Sequence, residues 1–348
     1  MGFRKLPTEN EGGRCTISQL AHDFQSMLDR WHSAPEVWDN ALDALISEQK
    51  AHALRNRPFI NFRAQPYFSP SSADACKREL YEKLRGAKKE VQPRPPHQGR
   101  WTRLGTAIGD VIQRDLLFIE RHYERTFGEA PPFTVERTPD GLPMWEDFAQ
   151  KLHVIDHEGH RFALYGKPDG ILRYKDGRRV GLEIKSKQTT AAKTSPHSMS
   201  EPEGKHVAQC VGYTEMYGSE AEPLDDYIIV YVNAAKSSWN LTKEEYEAKP
   251  DLRVFHETIT DRDRIGLRGE LADIVSRSKD GRPPKLDLEK WTFNNFKTAC
   301  ALSLSTDEYA ELERQVSMVR RSRMPEWKKK SYIGAFEQIT SIREREAA

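Results

Sequence analysis

Hydrophobic positions near the start of the chain recur at helical intervals. Leu20, Phe24, Leu28 and Trp31 are spaced by three or four, and Leu42, Leu45 and Ile46 continue the pattern. This spacing predicts helices across residues 14–57 with one apolar stripe facing a core. Ala34-Pro35-Glu36 reads as the start of the second, with proline in the first turn. Ser69-Pro70-Ser71-Ser72 opens a third, running through Ala75, Leu80, Tyr81 and Leu84. Residues 104–119 are helical again. After Pro131-Pro132 the period shortens to two: 133–137, 151–156, 161–166, 170–174, 179–186 and 226–233 alternate as strands do. Asp140-Gly141, Glu158-Gly159 and Asp176-Gly177 supply turns. Helical spacing returns over 204–217, 260–278 and 305–346. The order helices, strands, helices predicts an α/β (α+β) fold, a mixed sheet flanked by helices with helical additions at both ends. The expected divisions are an N-terminal helical region at 1–66, a central domain at 67–300 and a basic helical extension at 301–348.

Composition narrows the picture. The 348 residues suffice for one large domain or two smaller ones. The longest apolar run, residues 227–232, is strand-sized, far short of the ~20 residues of a membrane helix. No secretory segment follows Met1-Gly2-Phe3-Arg4-Lys5, and Leu6 breaks the myristoylation pattern. Four scattered cysteines (Cys15, Cys76, Cys210, Cys300) without a Cys-x-x-Cys suit a reducing, cytoplasmic setting. Lys and Arg number 54 against 53 Asp and Glu, a net charge of +1, so any nucleic acid must be held by local patches. One candidate patch is 83–103, where seven bases meet only Glu90 around Pro93-Arg94-Pro95-Pro96. It reads as an extended connector, either a solvated loop or a strap on phosphates.

The chemistry concentrates in residues 166–187. Asp176-Gly177 should close a hairpin between 170–175 and 178–186. On the second strand Leu182, Ile184 and Ser186 point one way and Glu183, Lys185 and Lys187 the other. A Glu and a Lys on one face of an apolar strand are costly unless used. Glu-x-Lys occurs five times, starting at Glu48, Glu183, Glu203, Glu247 and Glu326, but only Glu183 lies in a strand, fourteen residues after Asp169 in a Pro-Asp-Gly. Asp169, Glu183 and the Ile184 carbonyl make a hard oxygen site suited to Mg²⁺ (or Mn²⁺). Lys185 beside it is placed to orient or deprotonate a water, which outlines metal-assisted phosphodiester hydrolysis. On the helix at 204–217, His206, Gln209 and Tyr213 share a face, where Gln and Tyr can donate to phosphate or water.

Together these residues resemble the PD-(D/E)XK nuclease superfamily, in particular its RecB-type branch of phage recombination exonucleases and CRISPR-associated adaptation nucleases. The resemblance spans residues 68–300, about two thirds of the chain. Besides Asp169, Glu183-x-Lys185 and Gln209-x-x-x-Tyr213, it takes in Ser69-Pro70-Ser71 with Cys76, Arg78 and Tyr81. The segment from Arg103 to Asp110 is similar to the branch's Gly-x-x-x-His helix. It implies catalysis by Asp169, Glu183, Lys185, Gln209 and Tyr213, and metal ligation by Asp169, Glu183 and Ile184. Where the branch has a ligating His or Glu this chain has Gly109, so Asp110, or Gln113 a turn beyond Gly109, is expected to take over. Some relatives hold an iron–sulfur cluster on four cysteines; here only Cys76 and Cys300 match, so no cluster is expected and both read as packing residues. His153, His157 and His160 suggest zinc at first sight but are expected to be exposed around a turn.

DNA contacts are expected from Arg103, Arg178, Arg179, Lys187 and His206. A basic cluster at 320–330, interleaved with Trp327 and followed by Tyr332, suits backbone contact with base stacking. The resemblance implies a Mg²⁺/Mn²⁺-dependent DNA exonuclease in phage-type recombination or repair, working in a bacterial or phage-infected cytoplasm beside a single-strand annealing protein. A structure-recognising endonuclease shares the chemistry, and Gly109 motivates a DNA-binding module with lapsed catalysis.

Overall fold

Two mixed sheets carry helices on their faces in this computed structural model, which describes residues 18–91, 93–235 and 238–347. Residues 14–17, and Cys15 with them, lie outside the described part. Two helices come first, α1 (Gln19–Ser33) and α2 (Asn40–Arg55). Ser18 and Asp39 cap them, their side chains accepting from the Ala21 and Leu42 N–H groups at 3.3 and 2.9 Å. Short strand β1 (Tyr67–Phe68) follows, then α3 (Lys77–Leu84) and the long α4 (Pro96–Phe127). Next come β2 (Phe133–Val135), β3 (Lys151–His157), β4 (His160–Gly166), β5 (Gly170–Tyr174) and β6 (Arg179–Lys187). Helix α5 (Gly204–Tyr217) crosses over to β7 (Asp226–Asn233), and α6 (Lys243–Ala248) leads to β8 (Leu252–Thr258). The chain ends in α7 (Asp261–Asp280), α8 (Lys297–Leu302), α9 (Thr306–Arg321) and α10 (Glu326–Ala347).

The five-stranded sheet has the order β2-β5-β6-β7-β8, parallel only between β6 and β7; the smaller sheet is β1-β4-β3. Alternation along β6 and β7 divides two cores. Val180, Leu182, Ile228 and Val230 face α1 and α4, whereas Ile171, Tyr227, Ile229 and Tyr231 face α5 and α7. Glu183 and Lys185 belong to the α5 side. A third core joins Cys76, Leu286, Trp291 and Cys300 to α9 and α10, so packing runs without a break through residue 300. Arg78, fully buried, ties this unit to α3: it donates to the Pro284 and Ser303 carbonyls and to both oxygens of Glu308, at 2.7–3.2 Å. Among the described residues no helix is long and apolar enough to cross a membrane.

Local chemistry explains where the structure departs from the pattern. Ser69 and Ser72 close a capping box around a single 3₁₀ turn (Pro70–Ser72), and α3 starts afresh at Lys77. The basic connector is half helix, because Pro96 occupies the first turn of α4, where a missing N–H costs nothing. Pro325 divides the long C-terminal helix into α9 and α10. Strand β8, β1, α6 and α8 have no counterpart in the predicted elements; β8 lies at a sheet edge and places Phe255 against Tyr231 between Arg253 and Glu257, which breaks the polar alternation and hides its period.

One contact in the main sheet admits no side chain. A Cβ on Gly181 would lie 2.0 Å from the ring of Tyr227, which is fully buried on the partner strand. Gly181→Ala is therefore expected to destabilise the protein by at least about 2 kcal/mol, read as a lower urea midpoint. An unchanged midpoint would show that the ring can yield.

Candidate active site

The turn between β5 and β6 forms where Asp176-Gly177 predicted it. Gly177 takes φ 90°, and the Arg178 N–H donates to Asp176 Oδ1 at 3.1 Å. Strand β5 starts at Gly170, opposite Leu182, so β6 runs on past its neighbour. Asp169 steps into that gap, and its Oδ2 accepts the Ile184 N–H at 2.7 Å. In an extended strand the N–H and C=O of one residue leave by the same edge, so the Ile184 carbonyl faces the Asp169 side. Two anchors hold the Lys167-Pro168-Asp169 approach: Gln113 of α4 donates to the Asp169 carbonyl at 2.8 Å, and the Tyr213 hydroxyl of α5 donates to the Lys167 carbonyl at 2.6 Å.

Glu183 is 1% exposed. Lys185 forms an ion pair with one of its oxygens and donates to Gln209 Oε1 at 3.1 Å; Glu183 Oε2 has no hydrogen-bond partner. Burial, and then the nearby Asp169 carboxylate, push the Glu183 pKa up to about 8 against the pull of Lys185. Burial raises that of Asp169 as well, against its bond from Ile184 and the charge of Lys185. For Lys185 burial works against the charge, yet Glu183 and Asp169 outweigh it and its pKa is raised. Two carboxyl groups thus share one ammonium in a largely buried site, with a hard oxygen left over, and this donor set fits a divalent cation. Among the described residues no three His, Cys, Asp or Glu side chains converge as a metal cage. The fit therefore rests on two carboxylates and the Ile184 carbonyl.

Asp110 is half-buried on α4 and pairs with Lys50 at 3.0 Å; Lys50 also reaches Asp147 at 3.1 Å. At Gly109 an added Cβ would meet nothing within 4 Å. Sequence reasoning missed Glu146. Burial raises its pKa, followed by the charges of Asp169, Asp147 and Asp110, so it extends the acidic group toward α4. It sits in an irregular segment behind the buried Trp145, where no period or motif marks it.

Several expected contacts are corrected by burial. Arg179 is spent inside the protein, bidentate to Glu136 at 2.9 Å and donating to the Tyr217 and Glu222 carbonyls. His206 is buried with its Nδ1 2.8 Å from the Tyr231 hydroxyl. Burial, then the Lys185 charge, lowers its pKa to about 3, so it is neutral. Tyr332 is buried and donates to Glu289, which removes it from any stacking role. The Tyr213 hydroxyl is engaged with the backbone, which makes it a positioning group. Arg103 is exposed on α4, Arg178 pairs with Asp176 and Asp226, and Lys187 pairs with Glu203 and lies over the Tyr231 ring at 5.2 Å. Arg320, Arg321, Arg323 and Trp327 are exposed. His153, His157 and His160 are half-buried along the β3–β4 hairpin rather than exposed. Cys76, Cys210 and Cys300 are buried free thiols.

No protein-family profile matches the chain, and no curated protein matches it. Among solved structures it is similar to SSO0001, with 14% identity over 76% of this chain and 97% of that one, at a TM-score of 0.37. It is also similar to LHK-Exo, an alkaline exonuclease from Laribacter hongkongensis, with 13% identity over 68% of this chain and 94% of that one, at a TM-score of 0.33. The complex of LHK-Exo with dAMP gives the same coverage at 0.32.

The raised Glu183 pKa has a stability consequence. Unfolded, a Glu titrates near ~4.3; between there and about 8 the folded protein keeps a proton that the unfolded chain has lost. Its contribution is therefore complete below the lower value and declines as pH rises through the window. In chelating buffer, Glu183→Gln should melt above wild type at pH 8.5, by roughly several degrees, with the gap closing toward pH 5. Parallel melting curves across this range would refute the assignment.

Proposed function

We propose that this chain is a divalent-cation-dependent deoxyribonuclease of the PD-(D/E)XK kind, RecB-type branch. The observation that carries the reading is the Asp169–Glu183–Lys185 group, with Glu183 buried, one of its oxygens unpartnered, and Asp169 and Lys185 half-buried beside it. Asp169, Glu183 and the Ile184 carbonyl hold the cation, with Asp110 or Glu146 within its acidic surroundings. When bound, Mg²⁺ or Mn²⁺ supplies Lewis-acid polarisation of the phosphodiester. Lys185, kept as an ammonium between Glu183 and Gln209, orients the attacking water and offsets the charge that develops on phosphorus oxygens. With that charge state its part is electrostatic rather than that of a base. Gln209 fixes the ammonium, while Tyr213 and Gln113 fix the backbone on which Asp169 sits.

The sequence resemblance supports exonuclease action on DNA ends in phage-type recombination or repair, beside a single-strand annealing protein and in the cytoplasm. Gly109 favours one other reading, a DNA-binding module without cleavage, because that position offers open space in place of a ligand.

End-labelled linear DNA and closed circular DNA, single- and double-stranded, incubated with Mg²⁺ or Mn²⁺, separate these readings. Linear DNA should be degraded and circles spared; cut circles would make the enzyme an endonuclease. Glu183→Ala and Lys185→Ala should each lower cleavage by about 10²-fold or more while leaving DNA binding intact. Binding without cleavage by the wild type would leave only the binding module.

A further inference from the structure

Beyond Lys185 the catalytic strand opens onto a groove of about 620 Å³. Ser186, Lys187 and Gln188 form its floor, and Trp101, Thr102 and Gly105 of α4 form one wall. Lys187, which lines the groove, is two positions past Lys185 on the same face, about 6.6 Å along the strand, so it stands between the groove and Lys185.

That wall is braced. A Cβ on Gly105 would lie 2.9 Å from Ser186 Oγ, so glycine lets the helix come this close to the strand without displacing that hydroxyl. Gln188 Nε2 donates to the Trp101 carbonyl at 3.0 Å and to Ser186 Oγ at 3.3 Å. On this support the Trp101 indole is 44% exposed, with the His97 ring edge-on to it at 4.9 Å, one helical turn away. Trp38, Trp239 and Trp327 are more exposed, but none of them lines this groove.

We propose that Trp101, flanked by His97, is a stacking platform for one nucleobase of a single-stranded DNA end whose backbone passes Lys187 toward Lys185. The assignment rests on the nuclease reading above. The groove's own ions nearly balance, Lys187 and Lys193 against Glu201 and Glu203, so a plain polyanion is not what it selects. It offers instead a rigid π-face, with Arg100 and Arg103 exposed on the same helix to meet phosphate. Stacking of this type accepts every base, because each has a π-face. It grips the strand without reading its sequence.

The test is equilibrium binding in chelating buffer, where cleavage does not intervene. The probes are a fluorescent single-stranded oligothymidylate and the same strand with every base replaced by an abasic residue. Trp101→Ala should weaken oligothymidylate binding by roughly 5- to 150-fold, Trp101→Phe should keep most of the affinity, and neither should alter abasic binding. Trp101→Ala binding like wild type would overturn the platform. So would an equal loss on the abasic strand, or a wild type that binds both strands alike. Cleavage is scored separately: a wild type that binds with these base-dependent losses yet does not cut leaves the platform standing and removes the nuclease reading.

Discussion

Asp169 and Glu183 bring two carboxylates into the interior beside a single ammonium, and the repulsion between them organises what surrounds the site. The arrangement holds because the backbone leaves the anions no alternative. Strand β5 begins one residue after Asp169, so the carboxylate satisfies the unpaired Ile184 N–H of β6. Glu183 is carried inward by the alternation of β6, which at this point pairs with β7 alone because the β5 ladder ends at Leu182. Lys185 follows two residues later on the same face, and Gln209 of α5 takes up its remaining reach.

The same logic separates what was legible in the sequence from what was not. Asp176-Gly177 and a period of two report local backbone preferences, so the β5–β6 hairpin and the face shared by Glu183 and Lys185 could be read directly. The spacing of Gln209 and Tyr213 on α5 could be read too, though not that Tyr213 spends its hydroxyl on the Lys167 carbonyl. Burial of charge is a long-range matter. Arg179 looks like a solvent-facing base until Glu136, far away in sequence, meets it across the intervening strand β5. His206 and Tyr332 vanish inside for the same reason. Glu146 reaches the acidic group from an irregular segment, which no periodicity can flag.

Helix α4 links the fold to the proposed use of the site. Its 32 residues leave the core at one end and line the groove at the other. Gln113 steadies Asp169 from one side of the helix while Gly105, two turns earlier, brings Trp101 up to the end of β6. Gln113, which positions the acidic pair, and Trp101, the proposed stacking platform, therefore belong to one continuous helix. The proline run that precedes α4 disguises this, because Pro96 suits a helix start as well as it suits a connector.

If the carboxylate pair is built for a divalent cation, binding must deprotonate Glu183, whose pKa of about 8 leaves it mostly protonated at pH 7. Calorimetric titration of Mn²⁺ at pH 7 in two buffers of different ionisation enthalpy measures both events at once. Saturable binding with proton release is expected, lost in Asp169→Asn and Glu183→Gln. No saturable binding, or binding that survives both substitutions unchanged, would contradict it.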